Sequence, residues 1–158
     1  RRMRAEGHQI GNHTYSHVRL LKAEKDMVVE EVHKTEVLLK EAVGEGDFWL
    51  RPPYGLIGCE RSKLIKTPMI YWSVDPQDWK LLDKGKVVDA VLAAVQPGDI
   101  ILLHDFYSTS VDAALEIIDR LQADGYAFVT VEELFRIQGV EPQEGTLYAR
   151  PDRVREVK

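Results

Sequence analysis

The chain has almost no cysteine: a single residue, Cys59, in 158. One thiol cannot build an internal disulfide framework, and alone it says little about redox compartment. No apolar run is long enough to cross a bilayer. Charge of one sign is scarce as a pattern, because 21 basic residues are interspersed with 26 acidic ones for a net charge of −5. Without a basic stripe, no nucleic-acid partner is expected. Internal repeats and low-complexity tracts are also missing. What remains is a chain, 44% hydrophobic, that can bury one substantial core and is short for two.

The apolar pattern alternates between the periods of helix and strand. Val28, Val32, Leu39 and Val43 fall at helical spacing over residues 26–43, and glycines at 44 and 46 end that stretch. Phe48-Trp49-Leu50 reads as a brief strand stopped by Arg51-Pro52-Pro53-Tyr54-Gly55. Residues 69–74 read as a second strand ending at Asp75-Pro76, and residues 85–95 as a helix. Ile100-Ile101-Leu102-Leu103 has the continuous apolar character of a strand covered on both faces. A helix over residues 110–123, a strand over 126–131 and a helix over 132–137 complete the alternation, leaving residues 139–158 as a polar, weakly patterned tail. The opening, Arg1 to Gly7, reads as the last turn of a helix closed by glycine. A start in mid-element carries the expectation of a missing upstream piece.

This alternation predicts an α/β fold built on a parallel sheet or barrel. In such folds chemistry gathers at the C-terminal strand ends. Arg51, Asp75 with Asp78, and His104 with Asp105 each follow a predicted strand. His13 and His17, four residues apart, could share a metal ion, with Asn12, Thr14 and Ser16 as hydrogen-bonding neighbours. Taken singly, each feature has a plain structural reading: surface histidines, an ion-paired arginine, core tryptophans at 72 and 79, an Asp75-Pro76 turn. His8 and His33 are read as structural or solvated.

Taken together, the motifs resemble the polysaccharide deacetylases, the NodB-homology or carbohydrate esterase family 4 domain. His13-Thr14-Tyr15-Ser16-His17 is similar to that family's metal motif, and Arg51-Pro52-Pro53-Tyr54-Gly55 to its arginine motif. Trp72-Ser73-Val74-Asp75-Pro76-Gln77-Asp78-Trp79 is similar to its aspartate–tryptophan motif. Gly98-Asp99-Ile100-Ile101-Leu102-Leu103-His104-Asp105 is similar to its leucine–histidine motif. The four occur in family order between about residues 5 and 135. The resemblance implies a distorted or incomplete (β/α) barrel over residues 1–138, and hydrolysis of N-acetyl groups on a carbohydrate polymer containing N-acetylglucosamine, such as peptidoglycan or a chitin-like oligomer.

It also implies roles. His13 and His17 would ligate a divalent metal, zinc first, with cobalt or nickel as substitutes. The metal would polarise the acetamide carbonyl and lower the pKa of a bound water toward roughly 7. The backbone N–H of Tyr54 would help to hold the oxyanion. His104 would be the general acid to the leaving amine, with Asp78 keeping it protonated and oriented. Trp79 and a leucine of the Leu102-Leu103 pair would wall a pocket for the acetyl methyl. Arg51 would orient the catalytic base. Placement outside the cell or at the wall is an implication of the same resemblance.

One departure stands out. The family's Asp-Asp motif, which supplies a metal ligand and the general base, has no counterpart, since no Asp-Asp pair occurs and the first aspartate is Asp26. A short basic connection between Tyr54 and Tyr71 also replaces an expected full helix. A fragment of an enzyme and a degenerate homologue both account for this. The second of these would be a glycan-binding module without turnover or, less favoured, a metal-stabilised structural domain.

Overall fold

The structure is a computed structural model and describes residues 1–157. It divides into two compact units, one made of Arg1–Tyr71 with the chain from Thr130 onward, the other of Trp72–Val129.

The first unit is organised by short parallel segments. Asn12 bridges Leu50, Leu50 bridges Met69, and β1 (Met69–Ile70) pairs parallel with β2 (Leu147–Arg150). After the turn at Pro151-Asp152, β3 (Arg153–Val154) returns antiparallel to β2. Leu20, Val28, Leu50, Ile57, Ile65, Met69 and Leu147 form the core on one side of this array. Leu50 is fully buried, so Leu50→Ala is expected to cost about 2–5 kcal/mol.

The helices of this unit differ widely in length. α1 (Arg2–Ala5) is a single turn ended near Gly7 at φ 87°. α2 (Lys25–Val43) has Asp26 in its first turn and Lys40 in its last, both favourable to the helix dipole, and stops at Gly44 with φ 85°. Only Val28 of α2 is buried, with Val32 packed against the core, so most of the helix faces water. α7 (Val131–Gln138) starts at Thr130, whose hydroxyl accepts the Glu133 N–H, and ends at left-handed Gly139. Its Phe135 stacks edge-to-face on both Trp49 and Tyr148.

In the second unit, Val74 bridges Ile101 in parallel, with Leu102 N–H donating to Val74 O at 2.9 Å. The one-turn helix α4 (Asp78–Leu81) precedes α5 (Lys84–Ala94), whose N-terminus Asp83 caps by accepting the Lys86 N–H. α6 (Ser108–Ala123) packs on α5 through Val87, Val88, Val91, Ala113, Ile117 and Leu121, with Val74 beneath. An ion pair from Lys84 to Glu116 joins the two helices at 2.8 Å.

Several expectations change. The helices at 26–43, 85–95, 110–123 and 132–137 are present with ends shifted by one or two residues. The strands are far shorter, with Leu50, Val74 and Ile101 each left as an isolated bridging residue. Residues 126–130 hold no strand: the segment bridges no other described segment, and Phe128 and Val129 are exposed. The stretch read as a polar tail carries β2, with Leu147, Tyr148 and Ala149 all buried. The connection between Tyr54 and Tyr71 contains one helical turn, α3 (Cys59–Ser62).

Candidate active site

The sequence-predicted residues fall into two groups, one in each unit. In the first unit, Asn12 is 2% exposed and anchors the histidine loop. Its main chain pairs with Trp49 O and the Arg51 N–H, at 2.9 and 2.8 Å. Its side-chain carbonyl accepts the Thr14 N–H, and its amide donates to Val32 O on α2, both at 2.9 Å. Gly11 is needed beside it, since a Cβ there would lie 3.0 Å from Trp49 O. Downstream, Ser16 donates through both its N–H and its hydroxyl to the two carboxylate oxygens of Glu31, each at 2.7 Å. Burial works against the charged form of Glu31, but the two Ser16 bonds and nearby Lys34 outweigh it and hold the carboxyl below its ordinary range.

This loop places the His13 and His17 rings edge-to-face with centroids 4.9 Å apart. His13 Nδ1 lies 2.6 Å from Arg51 O. A carbonyl can only accept, so Nδ1 carries the proton and coordination by His13 would fall to Nε2. An imidazole fixed by a backbone carbonyl in this way can present its other nitrogen to a divalent metal ion. Among the described residues, no three His, Cys, Asp or Glu side chains gather as a metal-binding set, so the pair would need further ligands.

Tyr54 lies against His17, ring centroids 4.8 Å apart, with the Arg19 guanidinium 4.6 Å from its ring. The turn Pro53–Gly55 sets Tyr54 at φ 60°, a left-handed backbone for a bulky residue. Arg51 donates from Nη2 to Tyr71 O at 3.3 Å, while its Nε is buried and makes no hydrogen bond. Burial lowers the guanidinium pKa from its ordinary value. A cation held there gains from a carboxylate, and no described residue pairs one with it.

In the second unit, Asp78 is fully buried at the start of α4. Its Oδ2 accepts the His104 main-chain N–H at 2.6 Å and its Oδ1 lies 2.8 Å from His104 Nδ1. Burial pushes the Asp78 carboxyl up, but the His104 side-chain and main-chain bonds win and hold it below the ordinary carboxylate range. The Ser110 hydroxyl, buried and without a hydrogen bond of good geometry, adds a smaller favourable dipole. Trp79 is half exposed. Leu103 packs against the α5–α6 core, so buried Leu102, the next residue along an extended segment, points the other way. Of the two leucines, Leu102 is therefore the candidate pocket wall.

Sequence reasoning missed Glu31. Its partner lies 15 residues away in the chain, and a glutamate on a polar helix face gives no signal of its own.

The chain combines an α/β fold with an imidazole pair on one loop and an Asp-held histidine on another, and comparison with known proteins places it in a family. A family model described as polysaccharide deacetylase matches residues 1–67. The peptidoglycan-N-acetylmuramic acid deacetylase PdaC of Bacillus subtilis is 38% identical over 137 residues, which is 87% of this chain and 29% of that protein. Its solved structure matches with a TM-score of 0.85 over 87% of this chain and 68% of the solved one. The peptidoglycan-N-acetylglucosamine deacetylase PgdA of Listeria monocytogenes is 36% identical over 130 residues, 82% of this chain and 28% of that protein. A family 4 acetyl xylan esterase from Clostridium thermocellum, solved in complex with a cobalt ion, is 27% identical with a TM-score of 0.90, over 97% of this chain and 77% of the other. The chain spans under a third of the length of the two peptidoglycan deacetylases. It belongs to the polysaccharide deacetylase family, carbohydrate esterase family 4, and has the NodB-type α/β fold.

Proposed function

We propose that the chain serves metal-dependent removal of N-acetyl groups from an N-acetylglucosamine-containing polysaccharide, with peptidoglycan as the first candidate. The observation that carries this is the buried Asp78 committing both oxygens to His104, within a chain 38% identical to a peptidoglycan deacetylase. Work at the cell wall follows from the same relatives.

The chemistry divides by residue. His13 and His17 hold a divalent ion, which when bound would polarise the acetamide carbonyl. His13 is preset for this by the proton on Nδ1. The Tyr54 main-chain N–H is the proposed donor to the developing oxyanion. Asp78 accepts a hydrogen bond from the His104 Nδ1–H and so fixes the ring, and the proton delivered to the leaving sugar amine would come from Nε2. The amine is too basic to depart without it. Trp79 and Leu102 offer apolar surface to the acetyl methyl. Arg51, with a buried Nε that no described residue satisfies, would bind the carboxylate of a general base.

The test is acetate release from N-acetylglucosamine oligomers and peptidoglycan by the intact protein carrying this chain. Release that stops with a chelator, returns with zinc or cobalt, and is lost in His13→Ala supports the proposal. Release that survives both the chelator and His13→Ala rules it out.

A second reading, a glycan-binding module without turnover, draws support from one observation. The described residues supply two histidines and no third metal ligand. Calorimetry with the same oligomers separates the readings, since this one requires binding with no acetate released.

A further inference from the structure

We infer that Glu31 is the positioning residue of the metal loop, holding residues 14–17 in the shape that sets His17 beside His13; this rests on the metal reading above. The loop has a conformation that its own residues do not favour. Thr14 at φ 64° and His17 at φ 56° are both left-handed without being glycine. Such backbone costs of order 1–3 kcal/mol per residue and persists only where neighbours over-determine it. Among the described residues of the loop, regular pairing ends at the single bridge of Asn12. The restraint has to come from side chains.

Those side-chain restraints converge on about one turn of α2. At the front of the loop, Asn12 ties the Thr14 N–H to Val32 O. In the middle, the Lys34 ammonium sits 3.7 Å from the Tyr15 ring centroid. At the rear, Glu31 takes both donors of Ser16, the residue directly before His17. The other contacts of His17 are ring packing against His13 and Tyr54, which do not fix its backbone. Glu31 is therefore the anchor nearest to the strained histidine. It does not complete a metal set with His13 and His17 in this arrangement, since no three His, Cys, Asp or Glu side chains gather among the described residues. Both of its oxygens face Ser16.

Geometry and charge can be separated here by two variants. Glu31→Ala removes both acceptors. Glu31→Gln can still accept the Ser16 N–H with its carbonyl oxygen and donate its amide to the hydroxyl, so it keeps the shape and discards the charge. Zinc affinity is measured by competition with a chromophoric chelator, and cobalt titration adds the visible d–d spectrum as a check on coordination. Hydrogen exchange at the Ser16 and His17 amides of the metal-free chain reports the loop directly, and thermal unfolding reports the fold.

Glu31→Ala is expected to weaken zinc binding about 10- to 100-fold and to raise Ser16 amide exchange, with little change in Tm. Glu31→Gln is expected to recover most of both. Equal losses in the two variants would make Glu31 a ligand or a charge effect and overturn the inference. So would zinc affinity within twofold of wild type together with unchanged Ser16 exchange in Glu31→Ala. If the wild-type chain binds no zinc, the metal reading fails, and the exchange data still decide whether Glu31 holds the loop.

Discussion

His104 stands on a carboxylate that solvent does not reach, whereas His13 and His17 ride on a loop largely open to water and held from one side by α2. The first arrangement is part of the fold. Asp78 is buried with its acceptors filled, so its loss leaves a buried main-chain N–H without a partner. The second arrangement is an accessory to the fold. Its polar anchors and strained residues contribute little to the core of the first unit, which is built from Leu20, Val28, Leu50 and Met69. In the proposed roles, a proton donor would need to keep one orientation through the reaction, which burial of its partner favours. A metal loop would need to admit an ion, which exposure favours.

If this contrast is right, Asp78→Asn should have the largest effect. An amide cannot accept both His104 donors, so acetate release should fall about 10²–10⁴-fold. Stability should fall as well, by about 1–3 kcal/mol in denaturant unfolding. A variant that loses rate and keeps full stability would break the claim that this group belongs to the fold. His17→Ala should do the opposite. Zinc affinity is expected to drop about 10²-fold, taking one ligand's share of a structural zinc site, while the metal-free Tm stays near wild type.

The pH dependence sharpens the same contrast. The Asp78 carboxyl is held below its ordinary value, so the stability it contributes is present above the unfolded value of about 3.9 and disappears as pH falls through the lowered folded value. Melting curves taken from neutral pH downward should show an acid limb that is shallower in Asp78→Asn. An identical limb in the variant would place the titration elsewhere. The smallest effect is expected at Thr14, whose φ of 64° and buried, unpartnered hydroxyl are both relieved by Thr14→Gly. Greater freedom of glycine in the unfolded chain offsets that relief, so stability should shift by no more than about 1 kcal/mol. A loss beyond about 2 kcal/mol would give the Thr14 side chain a structural role.

The helices and the chemistry-bearing motifs were legible in the sequence, and the pairing of strands was not. Val28 and Val32 announce α2 because burial of one helix face repeats along the chain. Leu50, Val74 and Ile101 lie in apolar runs, but a run cannot reveal which of its residues find a ladder partner. Leu147-Tyr148-Ala149 escaped notice for the same reason reversed: three consecutive buried residues between Gly145 and Pro151 follow neither period. The family resemblance implied the His104–Asp78 hydrogen bond, while the anchoring of His17 through Ser16 by Glu31 was visible only once α2 was placed beside the loop.

The central claim is that the imidazole pair and the Asp-held histidine serve one reaction, and a double-mutant comparison tests it most directly. Acetate release is measured for His13→Ala, Asp78→Asn and the two combined. Residues that act as a unit give losses that do not add, so the combined variant should release acetate within a few-fold of the worse single one. Losses that multiply, or either single variant releasing acetate at the wild-type rate, would contradict the account.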